Sequence, residues 1–133
     1  MDAVVDTNVI VSGLIRSQGN SAVIIQMITS GELVPLFDDR ILQEYGAVLK
    51  REKFGFPLSA VDGFLSAIKT LGRQLLTPHS TIQLPDPKDL CFYECAMMAK
   101  TKILITGNKK HFPENLCGDI RVMSPGEFLS EIK

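Results

Sequence analysis

The stretch Val4-Val5-Asp6-Thr7-Asn8 constrains this chain more than any other. A short β-branched run ends in an aspartate, and a polar pair follows before apolar residues resume at Val9. Residues 2–6 read as a strand buried on both faces, the signature of a parallel sheet covered by helices. In such sheets ligands bind outside the carboxyl ends of the strands. Asp6 therefore stands where the mouth of a site is expected.

The remaining chain alternates in the same way. Val9 to Ile15 predicts a short helix, broken by Ser17-Gln18-Gly19-Asn20. Ser21 is a candidate cap for a second helix, with Ile24, Met27 and Ile28 on one face and Gly31 as its stop signal. Leu33 to Phe37 reads as the next strand, with Pro35 tolerated near a sheet edge. Asp38 or Asp39 caps a helix through Leu49, on which Ile41, Tyr45, Val48 and Leu49 recur at helical spacing. After a charged exit at 50–53 and a turn at 54–57, Ser59 with Asp62 resembles a capping box for another helix. Arg73 to Leu76 suggests a short strand. Asp86-Pro87 starts a helix reaching about Lys100, and Lys102 to Thr106 is the clearest second central strand. A loop spans 107–119 and Arg121 to Met123 is a last strand. Ser124-Pro125-Gly126-Glu127 places a cap, a first-turn proline and a capping-box glutamate in order before the closing helix. This alternation predicts one α/β domain over residues 1–133, with a central parallel sheet between helical layers.

Composition excludes several classes. A length of 133 residues supports one core and not two. The net charge is −1, so there is no global basic footprint for nucleic acid, although a local patch suffices. Three cysteines, an odd number without a C-x-x-C pair, argue against a disulfide framework and for buried thiols. No apolar run spans a membrane and no leader precedes the first strand, which places the protein in the cytoplasm.

Three carboxylates fall where simple patterning would not put them. Asp6 ends a buried strand. Glu44 shares a helical face with Ile41, Tyr45 and Val48. Asp89 precedes Phe92, Tyr93 and Ala96 at helical spacing, on an inward face. A buried unpaired carboxylate is costly, so several together demand protonation, basic partners or a metal. Hard oxygen donors of this kind suit Mg²⁺ or Mn²⁺. Plainer readings exist. Asp6 can cap the helix after it, and Glu44 can be a surface residue if the helix phase differs. Asp86 can be the cap, and Asp89 a first-turn acid at the positive end of the dipole. Lys109-Lys110-His111 is a local basic cluster near the presumed site, suited to phosphate contact or to solvent.

These residues resemble a family. Asp6-Thr7-Asn8-Val9-Ile10-Val11-Ser12 is similar to the opening motif of PIN-domain ribonucleases. The likeness is greatest to single-domain VapC-like toxins of toxin–antitoxin pairs. Ile41 to Tyr45 matches the helix with the family's second acid, and Asp86 to Asp89 the segment with the third. Ile103 to Lys110 matches the strand and loop with the fourth, and Val122 to Leu129 the closing strand and helix. The resemblance covers the chain in order. It implies a three-layer αβα sandwich whose acids hold one or two Mg²⁺ or Mn²⁺ ions for hydrolysis of RNA. Asp6, Glu44 and Asp89 would then be catalytic metal ligands. Asn108, which stands where many members carry aspartate, would be an uncharged fourth ligand. Asn8 and Thr106 would orient substrate or water, and Lys109 and Lys110 would contact it. The resemblance also implies RNA, a cognate antitoxin protein and a second copy of the chain as partners.

Two other functions compete. One is a degenerate PIN domain that binds RNA or protein without cleaving, which Asn108 favours. The other is a haloacid-dehalogenase-type phosphohydrolase, whose first strand also ends in aspartate. That motif wants a second acid two residues on, where this chain has Asn8.

Overall fold

The computed structural model describes residues 1–132. Five strands form one wholly parallel sheet in the order β3-β2-β1-β4-β5. They are β1 (Asp2–Val5), β2 (Val34–Phe37), β3 (Arg73–Gln74), β4 (Ile103–Ile105) and β5 (Arg121–Met123). The helices are α1 (Thr7–Ile15), α2 (Asn20–Ser30), α3 (Asp39–Leu49), α4 (Leu58–Leu71), α5 (Leu90–Met98), α6 (Glu114–Cys117) and α7 (Pro125–Glu131). The chain builds outward from β1 to β2 and β3, then returns across the sheet to β4 and β5. With right-handed crossovers, the outward and return helices occupy opposite faces. This is the expected three-layer αβα sandwich.

The centre of the sheet follows from composition. Ala3, Val4, Val5, Leu104 and Ile105 have no exposed surface, because helices cover both sides. Val4 pairs with both Leu36 and Leu104. α1 and α2 form a tight helical hairpin at Gly13. A Cβ there would lie 2.4 Å from Ile25 Cγ1 and 2.5 Å from the Ser21 carbonyl, so only glycine permits the approach.

Several expectations change in detail. α2 begins at Asn20 behind Gly19, and Ser21 is not its cap. α4 begins at Leu58 after Pro57 with no side-chain cap, so Ser59 and Asp62 form no capping box. The box at Ser124 and Glu127 is complete. β2 is not an edge strand, as Pro35 suggested. Val34 donates its N–H toward β1, to the Met1 carbonyl, so the missing Pro35 N–H faces the other side. There β3 pairs only with Leu36 and Phe37, and no ladder bond is lost. The 107–119 loop contains a 3₁₀ turn at Lys109–His111 and the short α6. All three cysteines are free and buried.

Candidate active site

The strand order reverses between β1 and β4, and the candidate site opens at their carboxyl ends. Asp6 follows β1 directly. Its backbone is extended and it caps α1, accepting a 2.8 Å hydrogen bond from the Thr7 N–H. Its other oxygen accepts a 2.7 Å bond from the Thr106 hydroxyl, which lies just past β4. Asp6 therefore caps α1 and also lines the cleft at the end of β1. Asp6 is only 4% exposed. Burial pushes its pKa above the usual carboxylate range, the Thr106 and Thr7 bonds and His111 oppose the shift, and Glu44 adds to it.

Glu44 reaches the same cleft from α3. The Tyr45 hydroxyl beside it, wholly buried, donates to the Val5 carbonyl at the end of β1. That bond ties α3 to the residue before Asp6 and brings Glu44, half-buried, to the cleft wall. In the sequence Tyr45 looks merely apolar, yet its hydroxyl sets this geometry.

Asp89 ends a 3₁₀ turn, Pro87–Asp89, that leads into α5, and Asp86 caps the turn by accepting from the Lys88 N–H. Asp89 is 9% exposed. Burial, and next the charge of Asp6, push its pKa up to about 6, while His111 acts in the opposite sense. His111 Nδ1 stands 2.9 Å from Asp89 Oδ2, but the ring N–H is not aimed well enough to satisfy that oxygen. Asp89 Oδ2 and Thr7 Oγ1 are the buried side-chain atoms without a hydrogen-bond partner among the described residues. Both residues line one cleft of about 610 Å³ with Asp6, Asn8, Glu44, Asp86 and His111.

The other predicted site residues divide between this cleft and its surroundings. Thr106 has no exposed surface. Its hydroxyl is committed to Asp6 and to the Asn108 N–H, so it positions a carboxylate and cannot touch substrate. Asn108 does not line the cleft, and its backbone is anchored on Thr106. Lys109 Nζ pairs with Glu127 on α7 at 3.0 Å, and Lys109 and Lys110 face a different concavity. Asn8 does line the cleft, with its Oδ1 accepting from the Gly107 N–H at 3.0 Å. The cations that do reach the cleft are Arg16, Arg51 and Lys88, and none forms an ion pair among the described residues. Their isolation in surface segments left no periodic signal in the sequence.

The donor set decides what the cleft can hold. Carboxylates are hard ligands, and one buried oxygen lacks a partner. Among the described residues no three carboxylate, imidazole or thiol groups converge tightly enough to cage a bare ion. The arrangement fits Mg²⁺ or Mn²⁺ held by one or two carboxylates with much of its water shell retained. Nucleophilic thiol chemistry is not available here. Burial first, then the negative charge of Asp38, pushes Cys91 and Cys95 up to about 12. A larger concavity of about 1240 Å³ between α2 and α7 has only exposed carboxylates, Glu32, Glu127 and Glu131, so size does not locate the site.

The sheet order, a carboxylate after the first strand and further acids at one switch-point cleft together define an acidic site in a parallel α/β fold. The family model of the PIN domain matches residues 2–110, most of the chain, and the protein belongs to that family. PIN domains are generally nucleases, usually metal-dependent. No curated protein and no solved structure matches the chain. No helix among the described residues is long and apolar enough to cross a membrane.

Proposed function

We propose that this PIN domain is an endoribonuclease dependent on Mg²⁺ or Mn²⁺, and that it serves as the toxin of a toxin–antitoxin pair in the cytoplasm. The carrying observation is the cleft itself. Buried Asp6 and Asp89 repel each other across it, and the His111 imidazole, 2.9 Å from Asp89 Oδ2, offsets that only in part, since the Asp89 pKa stays raised. That combination costs stability unless a cation compensates it. Asp6, Asp89 and Glu44 are the residues that would hold the ion. When bound, the ion supplies Lewis acidity and neutralises charge on the phosphodiester.

The protein's own groups do the rest. The Thr7 N–H and the Thr106 hydroxyl hold the Asp6 carboxylate in one orientation. Arg16, Arg51 and Lys88 offer unpaired positive charge to substrate phosphates. Asn8, fixed by Gly107, orients what lies between them. His111, in contact with Asp89, can carry a proton at the cleft. The toxin role, the antitoxin partner and a homodimeric state rest on the resemblance of the motifs.

The test is cleavage of single-stranded RNA by wild type and Asp6→Asn, purified side by side, with Mn²⁺ or with chelator. Cleavage that needs metal and vanishes in the variant supports the proposal. Equal cleavage by both proteins overturns it. A second reading, a PIN domain that binds RNA without cutting, is favoured by the lack of a tight carboxylate triad among the described residues. RNA binding without cleavage under all metal conditions would select it. Membership in the PIN family removes the phosphohydrolase alternative.

A further inference from the structure

One wall of the cleft carries an aromatic side chain that the proposed hydrolysis does not use. It is formed by the segment after α3, where Arg51 and Phe54 both line the cleft. Phe54 ends a 3₁₀ turn, Glu52–Phe54, and is half-buried. Large aromatic side chains normally go to a core. Phe56 does, packing against the core cluster, but Phe54 is not among the described residues that do so. Its ring rests on Phe56 instead, with centroids 6.1 Å apart and planes at 30°. Gly55 lies between them with φ of 67°, a left-handed turn that lets residues two apart stack. Phe56 is thus the anchored ring and Phe54 the outer one. Lys53 Nζ lies 5.1 Å from the Phe54 centroid, an exposed and weak cation–π contact that an incoming planar group can displace.

We infer that Phe54 is a base-stacking platform at the rim of the cleft, with Arg51 holding the adjoining phosphate. The inference rests on the ribonuclease reading and names the residues that select the form of the RNA. An aromatic ring beside an unpaired cation is the pairing that binds an unstacked nucleotide whatever its sequence. Bases in a duplex are stacked on their neighbours and cannot reach such a ring. The subsite therefore admits single strands, loops and ends.

The chain contains no tryptophan, which makes the test direct. Phe54→Trp in an Asp6→Asn background introduces one fluorophore at the platform and leaves the RNA uncut. Three probes are titrated: a mixed-sequence single-stranded oligoribonucleotide, its duplex, and a chain of the same length with abasic positions. The single strand should quench the tryptophan, while the duplex and the abasic chain should not. Phe54→Ala in the same background should bind the single strand about tenfold more weakly, the scale of one lost base–aromatic stack, with its salt dependence unchanged. Arg51→Gln should weaken binding and flatten the salt dependence by about 0.7 in log–log slope, the loss of one phosphate contact on a single strand.

Tight binding to Phe54→Ala, or an unquenched tryptophan in a protein that binds RNA, would overturn the platform while leaving the nuclease reading intact. Equal weakening for normal and abasic chains would make the ring a mere prop for the turn, which also overturns it. Failure of the parent Asp6→Asn protein to bind any RNA, with or without Mn²⁺, would overturn the platform and the nuclease reading together.

Discussion

Asp38 and Glu94 are as buried as Asp6 and Asp89, at 6% and 1% exposed against 4% and 9%, yet the two pairs sit in opposite environments. Arg40 bridges the first pair, 2.7 Å from Asp38 and 2.6 Å from Glu94. The Ile41 N–H and the Thr77 hydroxyl complete Asp38, and the Ser80 N–H completes Glu94. Burial alone would raise the Asp38 pKa, but these bonds and the guanidinium hold it below the usual range. Around Asp6 and Asp89 no guanidinium closes the circuit, and both carboxyls are displaced upward. One pair is finished by the fold. The other is left open to solvent and to whatever enters the cleft. The contrast teaches that burial of an acid does not mark a site. What marks it is a buried acid whose partners, Thr7, Thr106 and His111 here, leave its pKa raised, where Arg40 and its neighbours lower that of Asp38.

The finished pair also serves the open one. Thr77 and Ser80 belong to the irregular stretch between β3 and the 3₁₀ turn, and Glu94 lies one turn into the helix that follows Asp89. Arg40 thereby clasps the stretch that delivers Asp89.

The comparison can be broken most severely at Asp6. Asp6→Asn should lower metal-dependent RNA cleavage on the order of 10³-fold, the loss of an ion's transition-state stabilisation. Thermal stability should hold or rise, because a repelling charge is gone. A melting curve beside the cleavage assay would show whether the variant merely unfolds.

At the paired site the sign should reverse. Arg40→Met leaves Glu94 and Asp38 buried without their cation. A fully buried broken pair costs about 3–5 kcal/mol, and the partial exposure of Arg40 reduces this to about 2 kcal/mol. Urea unfolding should show a lower midpoint with unchanged slope. A midpoint equal to wild type would mean that the clasp is ornamental and the contrast false.

A third test uses pH on the metal-free protein. The folded pKa of Asp89, about 6, lies above its ordinary value of 3.8. The folded state therefore holds the proton more tightly, and the Asp89 contribution is fully present below about pH 4. It is lost as pH rises through about 6. Asp89→Asn, which cannot ionise, should gain on wild type by roughly 1–2 kcal/mol between pH 4 and 7. Denaturant titrations in chelator at several pH values would measure the gap. A gap that shrinks with rising pH would show Asp89 to be a satisfied carboxylate like Asp38.

The smallest effect is expected at Asn108. Were it a ligand, Asn108→Asp would tighten Mn²⁺ binding by an order of magnitude or more. Because Asn108 does not line the cleft, a new charge there acts through water and the change should stay below about threefold. Titration calorimetry of the two proteins separates these outcomes.

Much of this was legible before any coordinates. Continuous apolar runs such as Val4-Val5 and Ile103-Leu104-Ile105 mark strands buried on both faces, and their alternation with helical patterns gave the parallel sheet and its layers. Local chemistry was equally readable. Asp38, Asp86 and Ser124 cap their segments through hydrogen bonds that reach no further than three residues. The aspartate after β1 and the inward phases of Glu44 and Asp89 also came from periodicity. Only the tertiary structure decided which groups meet. Thr106 lies 100 residues from Asp6, and Arg40 lies 54 from Glu94. Sequence spacing carries no information about such pairs, because strand order and helix packing create them. The same limit hid the pairing of Lys109 with Glu127 of α7 and the arrival of Arg16, Arg51 and Phe54 at the cleft instead. A charged or aromatic residue on an irregular segment has no period, so its direction is set by the surface against which the chain folds.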